Sequence, residues 1–82
     1  MKRTIFCTVP QQLIQEPLLF RLGNQFHVSP NLRGASVTDE IAILSLELDG
    51  EKENVAAAIR YLVEKGVQVE EQREEEVERP SS

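Results

Sequence analysis

The chain has 82 residues, 40% hydrophobic and 28% charged, which suits one small globular domain; at this length only roughly 60–65% of the unfolded surface can be removed from water. A net charge of −5 disfavours phosphate backbones and anionic membrane surfaces, so nucleic acid is not an expected partner. A single cysteine excludes an internal disulfide or a CxxC pair, and no apolar run approaches the ~20 residues that span a bilayer; with too short an apolar start for a secretory signal, the expected location is cytoplasmic without membrane insertion.

In chain order, KRTIFCTV alternates, with Ile5, Cys7 and Val9 on one face and Thr4, Phe6 and Thr8 on the other, so it predicts a first strand. Cys7 is read as a small buried hydrophobe rather than a reactive thiol. Pro10 ends the strand because it has no N–H for a ladder. QQLIQ is too short for a settled element, and Pro17 fits the first position of a helix with Glu16 extended just outside it. Leu18, Leu22 and Phe26, with Leu19 beside them, make one apolar stripe, and Phe20 falls on the opposite side. Gly23 weakens this helix, which ends near Phe26 or His27. The lone His27 is assigned no catalytic role.

VSPNLRGASV changes phase at Gly34: Val28, Pro30 and Leu32 share one parity, Ala35 and Val37 the other. A bulge at Gly34, using the positive φ that glycine tolerates, reconciles the halves, and Pro30 restricts the strand to an edge. After Asp39 and Glu40, IAILSLEL places Ala42, Leu44, Leu46 and Leu48 on one face and is apolar enough to be central. Asp49 and Gly50 break it. A second helix follows over EKENVAAAIRYLVEK, with Val55, Ala58, Ile59 and Leu62 facing inward and Gly66 as its stop. VQVEE supplies a last short strand.

Strand, helix, strand, strand, helix, strand predicts an α+β, ferredoxin-like βαββαβ sandwich: a four-stranded antiparallel sheet, strands one and three central, with both helices on one face. Residues 1–71 form this domain, and residues 72–82 are expected to be an acidic, solvated, disordered tail. The uncovered face collects Phe6, Ile41, Ile43 and Ser45, of which Phe6, Ile41 and Ile43 are candidate interface residues. A homodimer is the expected assembly, because a small domain with an edge strand and an apolar open face gains most from a copy of itself.

No phosphate-binding glycine loop, nucleophile pair or convergent metal-ligand set stands in the sequence, so no catalytic residue, cofactor or metal is expected. For Asn31, Leu32, Arg33 and Gly34 two readings stand. The amide of Asn31, the guanidinium of Arg33 and backbone freed at Gly34 can receive a carboxylate, with nearby apolar residues receiving its side chain. Alternatively, Asn31 satisfies the irregular strand locally and Arg33 is a surface charge.

Glu16-Pro17 opening a helix, then Leu22, Phe26, Val28, Asn31, Leu32, Gly34, LSLELDG and AIRYLVEKGVQVE, resemble the NIL domain, found at the C-terminus of methionine-transporting ABC ATPases, fused to some ferredoxins, and as short free-standing proteins. The resemblance covers nearly all of residues 2–71. Asn31-Leu32 matches the first and a permitted second letter of the naming motif, and Arg33 replaces its leucine. The resemblance implies the ferredoxin-like fold, dimerisation and, in the transporter versions, methionine sensing. The functional expectation is a non-catalytic regulatory module that binds an amino acid, methionine among the candidates, as a homodimer. The alternative is a protein-interaction adaptor or small subunit with no small ligand, contacting its partner through the open sheet face or the tail.

Overall fold

The alternation in the first strand buries Ile5, Cys7 and Val9 on one side, and the third strand answers with Leu46, Leu44 and Ala42 directly opposite them. This pairing is the centre of a computed structural model that describes residues 1–71. Its elements are β1 (Lys2–Pro10), α1 (Gln11–Ile14), α2 (Leu18–Phe26), β2 (Ser29–Val37), β3 (Ile41–Asp49), α3 (Lys52–Lys65) and β4 (Gln68–Glu71). The sheet order is β2-β3-β1-β4, antiparallel throughout, so the expected ferredoxin-like α+β fold is present with β1 and β3 central. The tail expected over residues 72–82 lies outside the described residues.

Leu18 and Leu22 of α2 and Val55, Ala58 and Leu62 of α3 pack their stripes onto this one face of the sheet. Phe26 and Tyr61 join the two helices, ring centroids 5.1 Å apart and tilted by 44°, a geometry favourable to the aromatic quadrupoles. Helix α3 closes with a Schellman pattern. Val67 N–H donates to Leu62 O at 3.0 Å and Gly66 N–H to Val63 O at 3.1 Å, with Gly66 at φ 109°, where a side chain is strained. Glu53 in its first turn and Lys65 in its last complement the helix dipole.

Three local expectations are corrected. QQLIQ is not irregular: Gln11–Ile14 forms a single helical turn, because burying Leu13 in the core supplies the energy that four residues lack alone. Pro17 is the N-cap rather than the first helical residue. At φ −79° and ψ 66°, with Leu18 N–H donating to Glu16 O at 2.8 Å, it makes an inverse γ-turn, and its carbonyl accepts the first helical bond from Arg21 N–H at 3.1 Å. The bulge in β2 is present between Leu32 and Gly34, but Gly34 has no positive φ; the irregularity is Arg33, left without a partner residue on β3. It is therefore not the bulge class that needs a left-handed glycine.

The left-handed non-glycine residue is instead His27, at φ 59° and ψ 38°, which ends α2 where glycine is the usual choice. Glycine is needed for space at Gly50, where a Cβ would lie 3.0 Å from Val28 Cγ1, and not at Gly23, where it would meet only Val28 O at 3.5 Å. Opposite signs follow for one chemical change. Gly23→Ala is expected to raise stability by about 1 kcal/mol through helix propensity, and Gly50→Ala to lower it by about 1–3 kcal/mol through overpacking. Urea unfolding of both variants checks this, and equal signs would contradict the packing described.

Candidate functional site

The sheet is longer than its helical cover. A nine-residue helix such as α2 is about 13 Å long, whereas the nine-residue strands beneath it reach about 30 Å. Past the single turn of α1, the C-terminal half of β2 lies uncovered. The result is a groove of about 340 Å³ between the α1–α2 elbow and the sheet. Cys7, Ala42, Leu44 and Leu46 are among its sheet-side lining residues, with Leu13 and Leu18 on the helix side. Ile14, Phe20 and Val37 stand at its mouth, Phe20 69% and Val37 64% exposed. Phe20 is thus the outward residue of α2, away from its apolar stripe, and Val37 the last residue of an edge strand; neither was a candidate from sequence. The one signal for this groove in the chain is that Phe20 breaks the amphipathic pattern.

Two ionisable groups line the groove. Burial in apolar surroundings pushes the Cys7 thiol up to about 11, so the sulfur is a protonated part of the wall at neutral pH. Glu16 accepts from Arg21 Nη1 at 2.8 Å and from Lys65 Nζ at 3.2 Å, while the same Arg21 nitrogen donates to Tyr61 Oη at 3.3 Å. This network ties the elbow to α3.

The segment Asn31–Gly34 flanks the groove and is divided by the sheet. Asn31 stands opposite Glu47 and Gly34 opposite Ser45, on the open face; Arg33 Nη1 reaches the same side and donates to Glu47 Oε1 at 3.3 Å. Leu32 stands opposite Leu46, on the helix side, 53% exposed. Asn31, Arg33 and Gly34 are therefore together, and Leu32 points towards the groove. On the open face Phe6 pairs with Ser45 and Thr8 with Ile43, so Phe6 and Ile43 are interleaved with polar residues; they are 40% and 44% exposed, and Ile41 is half-buried. The β2–β3 turn satisfies itself. Thr38 Oγ1 accepts from Glu40 N–H at 3.2 Å and Ile41 N–H at 3.1 Å, leaving Asp39 and Glu40 exposed. Among the described residues no group of three or more His, Cys, Asp and Glu side chains is arranged to hold a metal, and no helix is long and apolar enough to cross a membrane.

Hydrogen bonds from Arg21 and then Lys65 hold the Glu16 carboxyl below the ordinary glutamate range. A depressed folded-state value means that the stabilisation is present above the unfolded pKa of about 4.3 and is lost as pH falls through the lower folded value. Glu16→Gln is accordingly expected to flatten the acid limb of the unfolding midpoint against pH below about 4.3. A limb identical to that of the natural chain would remove Glu16 from the linkage.

Comparison with known proteins agrees with this architecture. The C-terminal domain of an ABC transporter ATP-binding protein from Enterococcus faecalis is similar in structure, with a TM-score of 0.76 at 17% sequence identity, over 88% of this chain and 84% of that chain. At that identity the likeness is one of fold. No curated protein matches the chain. The NIL domain family model matches residues 7–71, from the middle of β1 to the end of β4. The chain belongs to the NIL domain family.

Proposed function

We propose that this chain is a non-catalytic regulatory module that acts as a homodimer in the cytoplasm and binds a small apolar amino acid, methionine being the first to test. The observation that carries the reading is the groove beside β2, an open and almost wholly apolar concavity in a domain whose size would favour filling it. Its walls suit an unbranched apolar side chain. Leu46 belongs to the lining and stands opposite Leu32, so the bulge lies at the groove's flank. Leu32 is on the groove's side of β2, whereas Asn31, Arg33 and the backbone of Gly34 lie on the open face and form a separate candidate for a carboxylate. The similar transporter domain and family membership support a regulatory role. The exposed edge strand β2 supports self-association.

A second reading is favoured by one observation, the exposure of Phe6 and Ile43 on the open face. In it the chain is an adaptor that meets another protein through Phe6, Ile41 and Ile43, without a small ligand.

Thermal unfolding against a panel of amino acids separates the two. A ligand at a hundredfold excess over its Kd stabilises by about 2.7 kcal/mol, so methionine is expected to raise the midpoint saturably. Val37→Arg, at the exposed groove mouth, is expected to reduce that rise, whereas a reduction in Arg33→Ala alone would put the ligand on the open face. An undiminished rise in Val37→Arg would move the ligand out of the groove. No rise with any amino acid at millimolar concentration would transfer the assignment to the adaptor.

A further inference from the structure

The groove walls carry one charged side chain, Glu16, at the end formed by the α1–α2 elbow. Arg21 Nη1 at 2.8 Å and Lys65 Nζ at 3.2 Å both meet it at the same oxygen, Oε1. Two cations therefore share one carboxylate, and the cluster keeps a surplus positive charge. Its donors are also in surplus. A guanidinium has five N–H groups and an ammonium three, whereas among the described residues Arg21 donates side-chain hydrogen bonds only from Nη1, to Glu16 and to Tyr61 Oη. All three charged side chains are about one-third exposed, so a ligand arriving from solvent can reach them.

The fold brings that surplus to the groove. In the chain Lys65 follows Leu62 and precedes Val67, both of which line it, and at the adjoining Gly66 a Cβ would lie 3.6 Å from Cδ1 of Leu13, a third lining residue. Arg21 is one helical turn from Pro17, which also lines the groove, and its N–H donates to the Pro17 carbonyl at 3.1 Å. No other lining side chain can meet a charge: apart from Glu16 the walls are apolar, and the Cys7 thiol is protonated. At the far end Asp39 and Glu40 follow Val37, take part in no ion pair among the described residues, and repel an anion from that side.

We propose that the groove binds apolar monocarboxylates, the carboxylate taken by Arg21 and Lys65 at the elbow and the unbranched chain lying along the apolar wall toward Val37. The proposal rests on the reading of the groove as a ligand site given above and widens its ligand class: an apolar amino acid is one case, and its amine is not what the site selects. A monoanion cancels the surplus charge of the cluster, whereas an ammonium is set against two cations. The net charge of −5 opposes an anion only weakly, because salt screens it beyond about 8 Å. At about 340 Å³ the groove is at the lower limit of the ~300–1,000 Å³ typical of small-molecule sites, which suits a chain of medium length and not a long lipid.

Calorimetric titration of the full 82-residue chain at neutral pH with butanoate, hexanoate and octanoate tests this. Each added methylene enters the groove and is expected to lower Kd about fourfold, and hexanoate is expected to bind about tenfold tighter than hexanamide or hexylamine. Lys65→Gln is expected to weaken hexanoate about tenfold, and Glu16→Gln, which removes the competing carboxylate, to tighten it. A cluster that only holds the elbow would move both variants the same way. Val37→Asp is expected to weaken octanoate more than butanoate. Equal binding of hexanamide, or an unchanged Kd in Lys65→Gln, overturns the carboxylate site and leaves the groove a ligand site. A rise in unfolding midpoint with methionine and no binding of hexanoate overturns the proposal while the amino-acid reading stands. Binding of hexanoate with no response to any amino acid upholds the site and removes the amino acid from it. No binding of any carboxylate or amino acid overturns both.

Discussion

Length is the constraint from which the rest of this structure follows. Strands β1, β2 and β3 each run for nine residues, while helix α2 also has nine residues at less than half the rise per residue. Under the helices, apolar side chains interlock and leave the water entirely: Ile5, Leu22, Leu48, Val55 and Ala58 have no exposed surface. Beyond them the same alternation of residues continues without cover. The groove, the exposed half of β2 and the outward Phe20 are three views of that shortfall.

The short elbow between β1 and α2 makes the shortfall tolerable. Leu13 anchors a single helical turn in the core, Pro17 redirects the chain through a γ-turn, and Glu16 is held by Arg21 and Lys65. None of these is a strong interaction at a partly exposed site. Their joint effect is positional, since they hold Ile14 and Phe20 apart from the sheet and thereby keep the groove open. Much the same holds at the opposite end, where Gly50 lets the β3–α3 junction approach Val28 and His27 accepts a left-handed backbone to end α2.

The edge strand combines two opposite tendencies. Pro30 and the bulge at Arg33 spoil the ladder over its first half, as natural proteins do to limit indiscriminate pairing, whereas Gly34 to Val37 remains regular. Because the bulge adds one residue, Arg33 and Asn31 reach the open face together while Leu32 stays on the groove side. A single irregularity therefore gives one strand a polar flank and an apolar flank.

Strand and helix periods are local, so the residues of β1, β3, α2 and α3 show in the sequence which face each buries, and the turn chemistry at Asp49-Gly50 and Gly66 marks where they stop. Family motifs from Glu16-Pro17 to GVQVE lead to the same fold. The quartet Asn31, Leu32, Arg33 and Gly34 is legible as an irregular segment for the same reason, a break in parity. What neighbouring residues do to one another is not local. The helical turn at Gln11–Ile14 exists because Leu13 finds a core to enter, and the bulge needs no left-handed glycine because β3 accommodates Arg33 as an unpaired residue. The groove depends on the relative lengths and placement of three elements distant in the chain. Sequence by itself determined the order of elements and their buried faces, through the rise and period of each backbone. Only the tertiary structure decided which apolar residues those faces leave uncovered, because coverage is a property of how elements overlap in space.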